Sequence, residues 1–342
     1  MPGLILSADT IQARLESERI EVIRHGDSGK PNDFSRLKVP LYDIDRVVVC
    51  GRADLTTPVL HAFMRRGIPV YYLTSHGRWL GALSPDNNMN AGRRICQYRK
   101  SEDAALALKV ASEIVFAKIR NSRRVLQRLA ANRSLSDAPE QKKTCDSLEL
   151  FAGKALSAAS LDVLRGYEGM AAAVYFARLG AFFPEEIPFS ERSRRPPRDA
   201  ANAILSWTYS IVLGEVEAAV RSHGLDPCIG FLHAVSDGTP SLALDLLEAL
   251  RGPLCDLLAL HLLNHKVLKP DSFEFHADDG GTYLKEDARK EFFFSYENSM
   301  TRLFTLKKDE AHTDFRKIIQ DQVMTVVRIL EGEEEFSFFL MP

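Results

Sequence analysis

The sequence predicts an α+β fold, with a small N-terminal β-rich domain over residues 1–90 followed by a larger, mostly α-helical domain over residues 91–342. Two observations support this prediction. Short apolar segments rich in Val, Ile and Tyr dominate the first part, which is typical of strands. From Arg93 onward, long stretches with apolar residues at helical spacing replace them, and prolines separate these stretches.

The N-terminal part predicts strands with one short helix between them. Residues 47–49 are an apolar run typical of a buried strand, and residues 70–73 predict the next strand. Residues 56–66 predict a helix that connects the two. The dipeptide His76-Gly77 suits a hairpin turn leading into a strand over residues 78–83.

The composition is that of a globular protein. The chain has 342 residues, of which 45% are hydrophobic and 26% charged, and its formal net charge is −2. That charge does not exclude nucleic-acid binding, which needs only a local basic surface. Five cysteines lie scattered without a CxxC pair, as expected of reduced thiols and not of a zinc or iron–sulfur site. Without a signal-peptide pattern or an apolar run of membrane-spanning length, we expect a cytoplasmic protein with no membrane partner.

Glu168 lies on the apolar side of a predicted helix, where Leu164 and Tyr175 recur at helical spacing. A carboxylate in that position needs a cationic partner, either a basic side chain or a metal ion. A buried salt bridge is the simpler explanation for Glu168 alone. Gly166 and Gly169 flank it, although each Gly costs about 1 kcal/mol relative to Ala inside a helix. Tight helix packing or close approach of DNA would explain them.

His233, Asp245 and Glu248 form a second group of polar residues in apolar surroundings. Asp245 and Glu248 share one face of a leucine-rich predicted helix, and His233 ends the preceding segment CIGFLH. Taken alone, His233 is explained as a hydrogen-bonded histidine of the core or a loop. Asp245 and Glu248 alone are explained by helix capping and salt bridging. Pro253 cannot donate to the carbonyl of Ala249, so we expect a kink just beyond Glu248.

Two segments are rich in basic residues. The stretch over residues 93–133 carries many more Lys and Arg than Asp and Glu, and it suits either phosphate binding or a solvated helix face. A second cluster lies in an extended loop that contains Pro196 and Pro197. Its members are Arg192, Arg194, Arg195 and Arg198.

Four ordered blocks resemble those of the CRISPR adaptation integrase, the Cas-one family. They are YEGMAAAVYF, RSRRPPRDAANAILSWTYSIV, GFLH and DLLEALR, and the resemblance extends over nearly the whole chain. By match of motif it implies that Glu168, His233 and Glu248 are catalytic and bind the metal, Mg²⁺ or Mn²⁺. The last ligand is Asp in many relatives and Glu here. Asp245 stays a nearby acidic residue of open role.

The resemblance also implies the reaction and the partners. The expected reaction is transesterification, in which the 3′-hydroxyl of a prespacer attacks a CRISPR repeat in double-stranded DNA. The expected assembly is a homodimer bridged by a Cas-two dimer, with Cas-four either a separate protein or a fusion partner. The N-terminal domain is expected to serve dimerisation and DNA contact, and the helical domain catalysis.

Supporting residues are predicted around the ligands. Asn202, Ser206 and Tyr209 line one helix face. There they hydrogen-bond DNA phosphates or the metal ligands, or they serve helix capping and hydrogen bonds within the core. Arg165 contacts phosphate or forms an exposed salt bridge.

Two other functions fit the same residues. One is a metal-dependent nuclease that acts on branched DNA in repair, with water as the nucleophile. The other is a non-catalytic DNA-binding scaffold, in which Glu168 and Glu248 form salt bridges with Arg165 or Arg251.

Overall fold

A computed structural model describes residues 3–7, 11–25, 34–75, 79–83, 90–135, 138–193, 196–306 and 312–342. Strands precede helices along the chain, which confirms the predicted α+β class. The dipeptide His76-Gly77, expected to form a hairpin turn, lies outside the described residues, as do Arg194 and Arg195.

The N-terminal part contains eight strands and one helix within the described residues. They are β1 (Leu4–Leu6), β2 (Ile11–Glu16), β3 (Arg19–His25), β4 (Phe34–Pro40), β5 (Val47–Cys50), β6 (Asp54–Leu55), α1 (Thr57–Arg65), β7 (Val70–Leu73) and β8 (Trp79–Leu83). One sheet has the order β1-β5-β7-β8, in which β1, β5 and β7 run parallel and β8 antiparallel. The other has the order β4-β3-β2-β6. The strands predicted at residues 47–49 and 70–73 and the helix between them are confirmed.

The β1-β5-β7-β8 sheet is buried on both faces. Val47 and Val49 point into a small core formed by the N-terminal part alone. Val48 and Cys50, on the opposite face of the same strand, belong to the large core of the helices. Because successive side chains of a strand alternate in direction, an apolar run without polar interruptions is required here.

Ten α-helices in total are present within the described residues. Those after α1 are α2 (Ala91–Ser101), α3 (Ala104–Asn132), α4 (Pro139–Leu156), α5 (Leu161–Leu179), α6 (Ala200–Ser222), α7 (Ser241–Leu247), α8 (Leu257–Asn264), α9 (Arg289–Thr301) and α10 (Phe315–Glu331). A hairpin of β9 (Phe273–His276) and β10 (Gly281–Leu284), which the sequence did not predict, separates α8 from α9.

Helix α6 crosses the centre of the helical part. It is long and apolar enough to span a membrane by length and composition, so the expectation that no run of this kind exists was wrong. However, 72% of its most apolar window is buried inside the protein. Contacts with the large core therefore account for its composition.

Arg46, which directly precedes β5, connects the strands to the helices. Arg46 is 5% exposed, and its guanidinium lies 3.0 Å from Glu215 of α6. It also pairs with Glu297 of α9, which in turn pairs with Arg316 of α10. Breaking a buried ion pair on one side leaves an uncompensated charge, so this network holds the sheet in place against three helices.

Candidate active site

Glu168 projects from the inner side of α5. Ser160 caps the start of this helix by accepting a hydrogen bond from the backbone N–H of Val163 at 3.3 Å. Leu164 and Tyr175, predicted to share the side of Glu168, are buried, and so is Ala171. The Glu168 side chain keeps 28% exposure, so it stands at the edge of the core with access to solvent.

The glycines beside Glu168 face open space. A methyl group added at Gly166 or Gly169 would meet nothing within 4 Å. Within the part of the chain that the structure describes, no neighbouring helix packs closely enough to require glycine at either position. Both glycines are exposed, so they leave an unobstructed patch on the outer surface of α5.

Glu248 stands where a helix changes its winding. Helix α7 ends at Leu247, a 3₁₀ turn spans Glu248–Leu250, and a π-helical segment spans Arg251–Asp256 before α8 begins. Pro253 lacks the N–H that an α-helix would direct at Ala249, so regular winding cannot continue. Regular α-helical winding is therefore interrupted where the sequence predicted a kink. Such π segments are frequent at functional sites.

Asp245 contacts His233 and the backbone that precedes it. Its carboxylate accepts hydrogen bonds from the backbone N–H groups of Phe231, Leu232 and His233 at 2.6–3.0 Å. It also lies 2.7 Å from Nδ1 of His233. A carboxylate at Nδ1 favours the proton on that nitrogen, so the lone pair of Nε2 is directed outward, 3.8 Å from Oε1 of Glu248.

Lys118 of α3 joins the two glutamates. Its ammonium forms an ion pair with Oε1 of Glu168 and lies 2.6 Å from Oε2 of Glu248. Arg251 contacts the other oxygen of Glu248 at 3.0 Å. The expected cationic partner of Glu168 is therefore present, as a lysine that sequence reasoning had placed only in a basic stretch. Arg165, considered as its partner, pairs instead with Asp162 at 3.2 Å.

The electrostatics of Glu248 follow from these contacts. Burial by itself raises the pKa of Glu248, but Arg251 and Lys118 outweigh it and lower the pKa to about 2. Burial likewise lowers the pKa of Lys118, and the two glutamates reverse this and raise it above its ordinary value. Both partners are held in their charged forms at neutral pH.

Glu168, His233 and Glu248 offer donor atoms that suit a divalent cation. Within the described residues, however, no group of three or more His, Cys, Asp or Glu side chains is already spaced to hold one. The ammonium of Lys118 stands between the carboxylates. Oε2 of Glu248 is buried, and the ammonium of Lys118 lies 2.6 Å from it, so this oxygen already faces a cation. Two carboxylates and an imidazole suit Mn²⁺, and Mg²⁺ with added waters.

The predicted supporting face of α6 lies beside Glu248. Arg192 donates to the side chains of Asn202, at 2.7 Å, and Ser206, at 3.0 Å. Its guanidinium lies over the ring of Tyr209, and that of Arg251 lies 4.6 Å from the same ring. The three α6 residues thus form a scaffold for the two arginines and bond other groups of the protein.

Asp256 was missed by the sequence analysis. It accepts hydrogen bonds from the hydroxyls of Tyr209, at 2.6 Å, and Tyr175, at 2.7 Å. Burial raises the pKa of Asp256. Its position at the end of the π-helical segment ties that segment to α5 and α6. No periodic signal distinguishes it from other residues of the leucine-rich helix, because its partners are distant in the sequence.

Within the described part of the chain, the arginines predicted to contact DNA are spread over several segments and do not form one cluster with the predicted ligands. Arg198 is exposed, and Arg165 is exposed while donating to the carbonyl of Leu232 at 2.8 Å. In the basic stretch, Arg93 and Arg133 donate to backbone carbonyls elsewhere in the fold. A cleft of about 870 Å³ between α3, α8 and α9 contains none of the three predicted ligands. Its size therefore does not mark the site.

Comparison with known proteins gives one family. The sequence model described as CRISPR associated protein Cas1 matches residues 4–298. CRISPR-associated endonuclease Cas1 3 of Thermus thermophilus is 33% identical over 297 residues, covering 87% of this chain and 86% of the relative. A CRISPR-associated exonuclease Cas4/endonuclease Cas1 fusion of Rhodospirillum rubrum is 34% identical over 299 residues, covering 86% of this chain and 50% of the fusion.

Solved structures share the fold. A casposase bound to integration product superposes with a TM-score of 0.84 at 22% identity, covering 99% of this chain and 93% of that one. A Cas1 protein from Thermotoga maritima gives 0.80 at 23% identity, covering 98% and 99%. A chain of a Cas6-RT-Cas1–Cas2 complex gives 0.77 at 25% identity, covering 99% of this chain and 36% of that one.

Proposed function

The chain belongs to the CRISPR associated protein Cas1 family, and on that premise we propose that it joins prespacer 3′-hydroxyl ends to a CRISPR repeat by transesterification. One observation carries the proposal. Glu168 and Glu248, distant in the sequence, both pair with the ammonium of Lys118, and Nε2 of His233 lies 3.8 Å from Glu248. Their convergence is what a cation-dependent reaction on DNA requires.

Glu168, His233 and Glu248 would hold the divalent cation. When bound, Mg²⁺ or Mn²⁺ would polarise the scissile phosphodiester and lower the pKa of an attacking hydroxyl. Asp245 keeps the proton of His233 on Nδ1 and turns Nε2 toward Glu248. Arg251 keeps Glu248 ionised, since its guanidinium lowers the pKa of that carboxyl. The nucleophile comes from DNA, so no side chain needs to form a covalent bond.

Strand joining by purified variants tests this assignment. We expect Glu168→Ala, His233→Ala and Glu248→Ala to abolish joining of a labelled 3′-hydroxyl donor to a supercoiled, repeat-bearing plasmid. Binding to DNA should remain largely intact, because phosphate contacts lie on other side chains. Glu185→Ala, at an exposed glutamate outside the site, is the matched control and should join normally. Undiminished joining by Glu168→Ala would reject the proposal.

Hydrolysis is the second activity that the same residues support. The Thermus thermophilus relative is named an endonuclease, and water in place of the 3′-hydroxyl would give that reaction. The same plasmid assay separates the two, because hydrolysis nicks the plasmid without attaching label. Loss of nicking and joining together in Glu248→Ala would assign both to one site.

The proposed partners follow from the relatives. The Cas6-RT-Cas1–Cas2 complex supports a Cas2 partner, and the Rhodospirillum rubrum fusion supports Cas4 as a separate or fused partner. We propose a homodimer bridged by Cas2 on prespacer and repeat DNA in the cytoplasm. Co-elution with purified Cas2, and the mass of the complex by light scattering, would test this assembly.

A further inference from the structure

Lys118 sits at the meeting point of three chain segments. It projects from α3 toward Glu168 on α5 and Glu248 in the 3₁₀ turn, and its side chain is 16% exposed. A long charged side chain is rarely this buried unless it is paired. One ammonium thus bridges two carboxylates from different segments of the chain.

The charges around this ammonium are balanced. Glu168 and Glu248 contribute two negative charges, and Lys118 and Arg251 contribute two positive ones within contact distance. A doubly charged ion entering beside an unmoved ammonium would meet like charge at short range in a poorly solvated place. The cation and Lys118 therefore compete for the same two carboxylates.

We propose that Lys118 is a resident counter-ion of the metal site. Its ammonium holds Glu168 and Glu248 toward each other, and a divalent cation loads the site by displacing it. The flexible four-carbon stem of lysine allows this withdrawal without movement of α3. This inference rests on the proposed function, because it takes both glutamates as ligands. Lys118 acts here as a positioning residue that also sets the affinity for the ion.

Calorimetric titration of the full chain with Mn²⁺ alone tests the competition. Lys118→Met keeps the apolar stem and removes the charge, so we expect its Mn²⁺ affinity to rise at least about tenfold. Lys118→Arg keeps the charge and should bind no more tightly than the wild type. Lys143→Met, at an exposed lysine of α4, is the matched control and should match the wild type.

Thermal unfolding gives a second readout that does not depend on activity. In EDTA, Lys118→Met should melt below the wild type because Glu168 and Glu248 lose the ammonium that they share, and only Glu248 keeps a cationic partner, Arg251. Saturating Mn²⁺ should remove or reverse this difference. A substitution that only damaged packing would lower the melting temperature equally in EDTA and Mn²⁺.

The outcomes separate the two proposals. If the wild type binds Mn²⁺ and folded Lys118→Met binds equally or more weakly, the role of Lys118 is rejected and the proposed function stands. If neither folded protein binds Mn²⁺, the metal site itself is wrong and both proposals fail. Should Lys118→Met not fold in EDTA, Lys118→Arg decides, since tighter Mn²⁺ binding by that variant would contradict competition by charge.

Discussion

The side-chain amide of Asn121 donates a hydrogen bond to the backbone carbonyl of Ala249 at 2.7 Å, directly beside Glu248 and in the interior of the protein. Pro253 leaves this carbonyl without its usual helical donor, and Asn121 supplies one. The same amide donates to the carbonyl of Phe339 and accepts from the N–H of Met341, both at 2.8 Å. One side chain thus connects the turn carrying Glu248 to the C-terminal segment.

Removal of this amide should destabilise the protein. We expect Asn121→Ala to lower the free energy of unfolding by about 1–3 kcal/mol, because it leaves buried backbone groups unpaired. Urea unfolding of the full chain measures the change. Asn298→Ala, at an exposed position of α9, should change it little.

Pro253→Ala tests whether Asn121 acts through the carbonyl of Ala249. It restores an N–H near the carbonyl of Ala249, so the loss caused by Asn121→Ala should be smaller in a Pro253→Ala background. Equal losses in both backgrounds would show that Asn121 does not act through Ala249.

Alanine at Gly166 or Gly169 should separate stability from DNA binding. Neither added methyl group meets another atom within 4 Å, so each substitution should stabilise α5 by up to about 1 kcal/mol. If this exposed patch of α5 receives DNA, the same variants should bind a repeat-containing duplex at least about threefold more weakly, because the methyl groups obstruct close approach to the backbone. Fluorescence anisotropy measures this binding.

Gly153→Ala is the matched control for these glycines. Its added methyl on α4 also meets nothing within 4 Å, and it should stabilise without changing the affinity for DNA. Unchanged affinity in Gly166→Ala and Gly169→Ala would show that the glycines do not serve DNA approach.

Stability should depend on pH through Glu248. Its pKa is lowered in the folded protein from 4.5 to about 2, so its contribution is complete above pH 4.5 and is lost as the pH falls toward 2. This shift corresponds to about 3 kcal/mol. In urea unfolding, the stability difference between wild type and Glu248→Gln should therefore narrow by about 2–3 kcal/mol as the pH falls from 6 toward 2. A constant difference would contradict ion pairing by Glu248.

Asp245→Asn should weaken metal binding without removing a predicted ligand. The amide can donate to Nδ1 of His233, which favours the tautomer with the proton on Nε2, and it accepts fewer backbone hydrogen bonds. We expect a loss of about 10–100-fold in Mn²⁺ affinity. Asp162→Asn, at an exposed aspartate of α5, should leave it unchanged. Loss of affinity as complete as in His233→Ala would instead indicate that Asp245 binds the ion directly.

Features that depend on local order could be predicted from the sequence. The β-rich start, the strand at Val47, the helix around Glu168 and the break at Pro253 all follow from periodicity or backbone chemistry. Ordered motif blocks also indicated the family. The hairpin of β9 and β10 was missed because each strand has only four residues, too few for the alternation in FEFH to distinguish a strand.

By itself, the sequence determined that Glu168 and Glu248 lie in apolar surroundings, since helical spacing assigns each to a face, and that each needs a cation. Only the tertiary structure decided which cation each one has. Lys118 reaches both glutamates because α3 packs between the segments that carry them, and Asp245 turns to His233 because three backbone N–H groups converge on it. Contacts between distant segments depend on how the helices pack against one another. The spacing of residues within one helix assigns its faces but does not determine which segment packs against each face.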